Sequence, residues 1–148
     1  MYTEDMSKRI NDLLEKNYDA EKGYKKAAEI VENPKLEQFF TDQAQNRYDF
    51  GHELKDEIKN VGSTPDKGGS TTGDLHRAWM DIRSTFTSND EGAILKEVQK
   101  GEEAAVEEYS EVINDTTLPP TTKRIITKQL ENVRTALRDA KNFEGVLS

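Results

Sequence analysis

Cysteine is absent from the 148 residues, and apolar residue types are scarce. Without cysteine the chain forms no disulfide, no thiolate metal site and no cysteine nucleophile. Hydrophobic residues make up only 33%, and no apolar run approaches the roughly 20 residues that cross a bilayer. Residues 1–5 are mostly polar and lack an apolar segment. We therefore expect no signal peptide, no membrane contact and a cytoplasmic location.

A surplus of basic residues is missing as well. The chain has 29 Asp and Glu against 21 Lys and Arg, a net charge of -8. Binding to phosphate backbones depends on a basic surplus, so we expect no nucleic-acid partner. The sequence also contains no catalytic Ser-His-Asp order, phosphate loop or nucleotide fingerprint. Its length suits one domain, covering residues 1–148.

Apolar positions recur at helical spacing over most of the chain. The first of these seams steps by four and three residues through Ile10, Leu14, Asn17, Glu21, Tyr24, Ala28 and Val31. Such seams predict helices at about 5–32, 35–61, 74–86, 90–114 and 120–145. Two short loops and one long central connection favour an all-α antiparallel four-helix bundle. The extra short helix, 74–86, falls within the central connection.

The middle of each long seam is polar. A Thr-x-Gln-x-x-Asn pattern ending at Asn46 recurs ending at Asn132, at matching distances from the two loops, which indicates an internal duplication. Residues equally far from a hairpin loop lie at one level of the bundle. We therefore predict a central polar layer made of Asn17, Glu21, Gln43, Asn46, Arg47, Glu102, Gln129 and Asn132. Glu102 fits the seam and Glu103 fits the duplication, so both stay candidates.

This layer has two interpretations. In ferritin-like di-iron proteins, two helices each give a Glu and two each give Glu-x-x-His, whereas both matching pairs here read Gln-x-x-Asn. Neutral amides are weak ligands, so we do not expect a di-iron oxidase. The favoured interpretation is a hydrogen-bonded layer that fixes helix register, with no cofactor. The alternative is a reduced site for one Fe, Mn or Zn ion, with ligands from Glu21, Gln43, Glu102 or Glu103, and Gln129.

Both histidines have weaker functional interpretations. Asp49 and His52 have a spacing that suits one metal ion, but the pattern predicts that they lie on a solvated helix face. His76 and Arg77 flank Trp79 in the predicted short helix. We expect Trp79 to be a packing anchor and all three to lie at the edge of the bundle or at a subunit contact.

Several blocks of residues resemble a known family. They are Asp19–Tyr24, Asn46–Arg47, Glu53–Leu54, Leu75–Ile82, Gly101–Ala105 and Tyr109. Over about residues 8–143 the chain resembles a bacterial family of small ferritin-like four-helix-bundle proteins of unknown function. The resemblance implies a ferritin-like fold and a stress-associated role. It does not carry over iron oxidation, because Gln43, Asn46, Gln129 and Asn132 stand where ligands are needed.

The function that we predict is a non-enzymatic binding or self-association module, with a homodimer or another protein as partner. The alternative is a ferritin-like metal-binding protein with a reduced carboxylate site and iron or peroxide chemistry.

Overall fold

Long helices make up nearly all of the described chain. In the computed structural model the described residues are 4–60, 62, 91–115 and 117–147. The helices are α1 (Glu4–Ile30), α2 (Pro34–Asn60), α3 (Glu91–Asp115) and α4 (Pro120–Leu147). They begin within one residue and end within two residues of the bounds that we predict for them. The predicted helix 74–86, with His76, Arg77 and Trp79, lies outside the described residues.

Local chemistry fixes the start of α2. The Asn33 Oδ1 atom accepts hydrogen bonds from the backbone amides of Lys35 and Leu36, at 2.9 and 3.3 Å. These bonds satisfy two of the amides that a helix N-terminus leaves without an intrahelical partner. Pro34 stands at the first helical position, where its missing N–H costs nothing. Beyond the other end of α2, Gly62 has a φ of 83°, which residues with a Cβ rarely adopt.

The helices pack as two antiparallel hairpins, α1–α2 and α3–α4. The start of α3 lies beside the α1–α2 turn, because Glu91 Oε2 accepts the backbone amides of Glu32 and Asn33, both at 2.9 Å. The end of α4 lies there too, since the Phe39 and Phe143 ring centroids are 5.1 Å apart. Helix α1 neighbours α2 and α3, and α2 also neighbours α4. Helices α2 and α3 therefore face each other across the diagonal of the bundle.

Two apolar clusters fill the bundle on either side of its middle. One is built around Tyr24 and Phe40, near the α1–α2 turn. The other is built around Leu14 and Leu54, toward the opposite end. Burial of an apolar side chain of this size contributes about 1.5–3 kcal/mol. Between the clusters lie four buried polar side chains that we call the polar layer: Asn17, Arg47, Glu102 and Gln129.

The observed architecture confirms the predicted all-α antiparallel four-helix bundle. No strand occurs within residues 4–60, 91–115 or 117–147. Among these same helices, none is long and apolar enough to cross a membrane.

Candidate functional site

An ion pair occupies the centre of the polar layer. The Arg47 Nη2 atom donates to both carboxylate oxygens of Glu102. Arg47 is 2% exposed and Glu102 is fully buried, so water does not screen the pair. The Arg47 Cζ atom also lies 6.0 Å from the ring centroids of both Tyr24 and Phe50, at the outer limit of cation–π attraction. The pair spans the diagonal between α2 and α3.

Each charge of this pair depends on the other. Burial raises the pKa of the Glu102 carboxyl, and the facing Arg47 opposes that rise without cancelling it. Burial alone lowers the pKa of the Arg47 guanidinium, but Glu102 and the nearby tyrosine hydroxyls outweigh burial and leave that pKa raised. Burial and the charge of Glu102 raise the pKa of Tyr24 well above its ordinary value. A neutral Tyr24 hydroxyl therefore lies beside the ion pair.

A hydrogen-bond chain links the polar layer to all four helices. Asn17 Nδ2 donates to the Tyr109 hydroxyl at 2.8 Å, and that hydroxyl donates to Gln129 Oε1 at 2.7 Å. Gln129 Nε2 then donates to the Phe50 carbonyl at 3.3 Å and to Glu53 Oε1 at 3.1 Å. Burial raises the pKa of Tyr109 to about 12, so the hydroxyl keeps its proton at neutral pH. The chain thus fixes α1, α3, α4 and α2 at one level.

Glu21 and Gln43, which we predicted in this layer, are not buried with it. The Glu21 carboxylate pairs with Lys25 at 2.8 Å. Glu21 and Lys25 line a groove of about 490 Å³ between α1 and α2. Glu29, Gln45 and the exposed Tyr48 line the same groove. Gln43 is half-buried on α2. The position that the seam assigned to a second inward carboxylate therefore faces a surface groove.

Two further predictions about inward-facing residues are wrong, and the open choice between Glu102 and Glu103 is decided. Asn46 and Asn132 are exposed, whereas we placed both in the polar layer. Each lies three residues after its glutamine, and the fourth residue, Arg47 or Val133, takes the inward position instead. Glu103 is also exposed, and Glu102 is the residue that points into the core. A one-residue step turns a helix by about 100°, so only one of two adjacent side chains faces inward.

The Asp49–His52 pair lies on the outside of α2, and both residues are exposed. Asp49 Oδ1 accepts a hydrogen bond from Gln45 Nε2 at 3.0 Å. The His52 ring packs edge-on against Tyr48, with centroids 4.5 Å apart. These contacts hold the two side chains on a helix surface without enclosing a site.

A family model covers the first three helices of the chain. Residues 5–115 match a family described as a domain of unknown function, DUF2383. The chain belongs to the DUF2383 family. The matched residues begin in α1 and end with α3, so α4 lies beyond the match. A search of curated proteins finds no match.

A solved structure shares the fold of this DUF2383 chain. It is a dodecameric thioferritin, the bacterioferritin-related protein of Bacteroides fragilis. The TM-score is 0.77, the match covers 97% of this chain and 86% of that chain, and the sequences are 18% identical. At that identity the likeness shows the fold alone. It confirms the ferritin-like bundle, and together with the family match it confirms the predicted class of ferritin-like domain of unknown function.

The residues of the polar layer do not fit a metal ion of the ferritin-like kind. Glu102 is the one carboxylate among the four, and the Arg47 guanidinium already covers both of its oxygens. The oxygen of Gln129 accepts from Tyr109. No group of three or more His, Asp or Glu side chains that could hold a metal occurs in the described part of the chain. A divalent cation here would meet a positive charge and too few anionic ligands.

Sequence reasoning missed two features of the site. One is the pairing of Arg47 with Glu102, and the other is the hydrogen bond that Glu53 accepts from Gln129. Arg47 stood on the α2 seam and Glu102 on the α3 seam, so both were expected inside. The sequence did contain a signal for the pair, because residues of opposite charge stood on the inward seams of α2 and α3 at one level of the bundle. That signal predicts a pair only if the two helices face each other, which the sequence does not specify.

Proposed function

We propose that this chain is a non-enzymatic ferritin-like bundle that acts through self-association. The observation that carries the proposal is the Arg47–Glu102 ion pair in the polar layer. In ferritin-like metal proteins, inward carboxylates are neutralised by bound metal ions. In this chain the guanidinium neutralises the one buried carboxylate of the layer, so no anionic charge is left over to attract a metal. The surface is then where function resides.

One general rule and one comparison support self-association as the surface function. Closed, symmetric assemblies of identical chains are the commonest oligomers of soluble proteins. The protein of the same fold from Bacteroides fragilis is a dodecamer. A homodimer is the smallest assembly of this kind, and it is the form that we propose for this chain. A stress-associated role, implied by the family resemblance, stays a prediction.

The interior part of the proposal is tested by metal content. Protein purified without a chelator or a His-tag is challenged with Fe²⁺, Mn²⁺ and Zn²⁺, dialysed, and analysed for bound metal. We expect metal well below one ion per chain and no change in thermal stability. Glu102→Gln serves as the site variant, and Glu103→Gln is the matched control, because Glu103 is the exposed neighbour on the same helix.

A stoichiometric metal ion that is lost in Glu102→Gln and kept in Glu103→Gln would overturn this part. It would favour the alternative, a ferritin-like metal protein with a reduced carboxylate site, and would justify assays of iron oxidation and peroxide consumption.

The surface part is tested by sedimentation velocity of the unmodified chain. We expect a concentration-dependent shift from monomer to dimer. A strict monomer over a thousandfold range of concentration would refute self-association.

A further inference from the structure

The two helices of the α3–α4 hairpin carry opposite net charges. Helix α3 contains eight acidic and two basic residues. Helix α4 contains six basic and three acidic residues, although the whole chain has a net charge of -8. A basic helix in an acidic protein is a local feature that the average composition hides.

On α3 the negative charge forms a stripe. Glu103, Glu107 and Glu111 are all exposed and follow one another at intervals of four residues, so they lie on one face. We call these three residues the acidic stripe. Like charges at this spacing repel and destabilise an isolated helix. No ion pair offsets this repulsion, because none of the three side chains pairs with a described residue.

On α4 the outer face carries one exposed acidic residue, Glu131, but positive charge covers most of it. We call its six exposed members the basic face: Lys123, Arg124, Lys128, Arg134, Arg138 and Lys141. It contains two like-charge pairs at four-residue spacing, Arg124 with Lys128 and Arg134 with Arg138. Within the described chain, none of the six forms an ion pair. Both surfaces thus hold repelling charges that an opposite surface would neutralise.

We propose that a second copy of the chain docks on this hairpin, with the acidic stripe of each copy against the basic face of the other. The inference rests on the self-association proposed above and names its interface. A second copy is the occupant that fits, because it supplies both complementary surfaces. A nucleic acid or an anionic membrane would meet the basic face but would be repelled by the net charge of -8.

The levels of the two helices suit a two-fold symmetric contact. The hydrogen bond between Tyr109 and Gln129 places these residues at the same height in the hairpin. A two-fold axis parallel to the bundle sets α3 of one copy antiparallel to α4 of the other at that same height. Glu111 then lies near Lys128 of the partner subunit, and Glu103 lies near Arg134 of the partner subunit. Glu107, midway between them, lies at the level of Glu131 of the partner subunit, so the two ends of the acidic stripe make the attractive contacts. Each contact is made twice in the dimer.

Charge reversal tests this interface. In sedimentation velocity at low salt, Glu103→Lys and Arg134→Glu are each expected to raise the dimer Kd about tenfold. The double variant, with the charges exchanged, is expected to return the Kd to within about threefold of the unmodified chain. Added salt is expected to weaken the dimer, because exposed charges are screened beyond about 10 Å at 0.1 M ionic strength.

The matched control is Asp56→Lys, which makes the same charge change at an exposed site on α2. Glu103→Lys and Asp56→Lys both reduce the overall repulsion between acidic chains. A general charge effect would therefore strengthen association in both variants, whereas a contact at the acidic stripe weakens it in Glu103→Lys alone.

The outcomes separate the two proposals. A dimer whose Kd is unchanged by Glu103→Lys and Arg134→Glu would overturn this interface and leave self-association standing. A dimer that is weakened by either variant and restored by the exchange would support both proposals. A strictly monomeric unmodified chain would overturn both.

Discussion

Removal of the buried guanidinium is the most direct test of how the polar layer stabilises the fold. Arg47→Met keeps an unbranched apolar side chain and deletes the charge. Glu102 is fully buried, so the variant leaves a carboxylate without its cation and without contact with water. Breaking a buried ion pair on one side costs about 3–5 kcal/mol. We expect Arg47→Met to lose free energy of unfolding in that range, measured by urea denaturation followed by circular dichroism.

The pH dependence of this loss identifies its cause. Without Arg47, burial raises the pKa of Glu102 against only the weaker opposing effect of the Tyr24 hydroxyl, so the native state holds a proton that the unfolded state releases above about pH 4.3. A group whose pKa is raised on folding contributes stability that is complete at low pH and is lost as pH rises through the folded pKa. The variant should therefore approach the unmodified chain in stability at acid pH and fall away toward neutral pH. The unmodified chain should show the same sign over a narrower pH window, because Arg47 opposes the rise.

Two further variants complete this test. Lys25→Met removes a cation from the exposed Lys25–Glu21 pair, which joins residues four apart on α1, and should cost less than about 0.5 kcal/mol. The double variant Arg47→Met/Glu102→Leu leaves no buried charge and should match or exceed the unmodified chain in stability. A loss below about 1 kcal/mol in Arg47→Met, or a double variant less stable than that single variant, would refute the reasoning.

The other predictions concern the hydrogen-bond chain and the α1–α2 turn. Tyr109→Phe should cost about 1–3 kcal/mol in urea denaturation, because it removes one acceptor of the buried Asn17 amide and leaves Gln129 Oε1 without its donor. Because the pKa of Tyr109 is raised to about 12 from an unfolded value near 10, its contribution is complete below about pH 10 and is lost as pH rises toward 12. Ultraviolet titration should then show Tyr109 ionising only as the bundle unfolds, and early ionisation in the folded state would contradict this. Glu91→Ala removes the acceptor of two turn amides and should cost about 1 kcal/mol, measured as a lower thermal midpoint.

The fold was predictable because the signals that specify it are local. Apolar spacing identified the four described helices, and the Asn33-Pro34 turn marked the boundary between α1 and α2 through capping chemistry. A turn of three residues forces the helices that it joins to be antiparallel neighbours. Helix bounds therefore needed no information about distant parts of the chain.

The candidate site was only partly predictable, because it depends on how far each helix is rotated. Asn17, Arg47, Glu102 and Gln129 were expected inside and are buried. The duplication argument failed for Asn46 and Asn132, since it matched sequence distance from the loops and ignored the rotation of about 100° per residue. It failed in a second way for Glu21. Glu21 pairs with Lys25 four residues further along α1, and the groove that it lines is a product of packing between α1 and α2.

The polar layer has a physical role that does not require a ligand. Apolar clusters on either side of it tolerate sliding, since one aliphatic contact replaces another at small cost. The Arg47–Glu102 pair does not tolerate such sliding. A slip of one helical turn, about 5.4 Å, would separate two charges inside the core. The bonds around Tyr109 extend this restriction to α1 and α4. We infer that the layer sets helix register, which Arg47→Met/Glu102→Leu can decide. If that variant is stable yet gives one sharp set of amide resonances, register comes from elsewhere, and if the resonances are broadened or doubled, the layer specifies it.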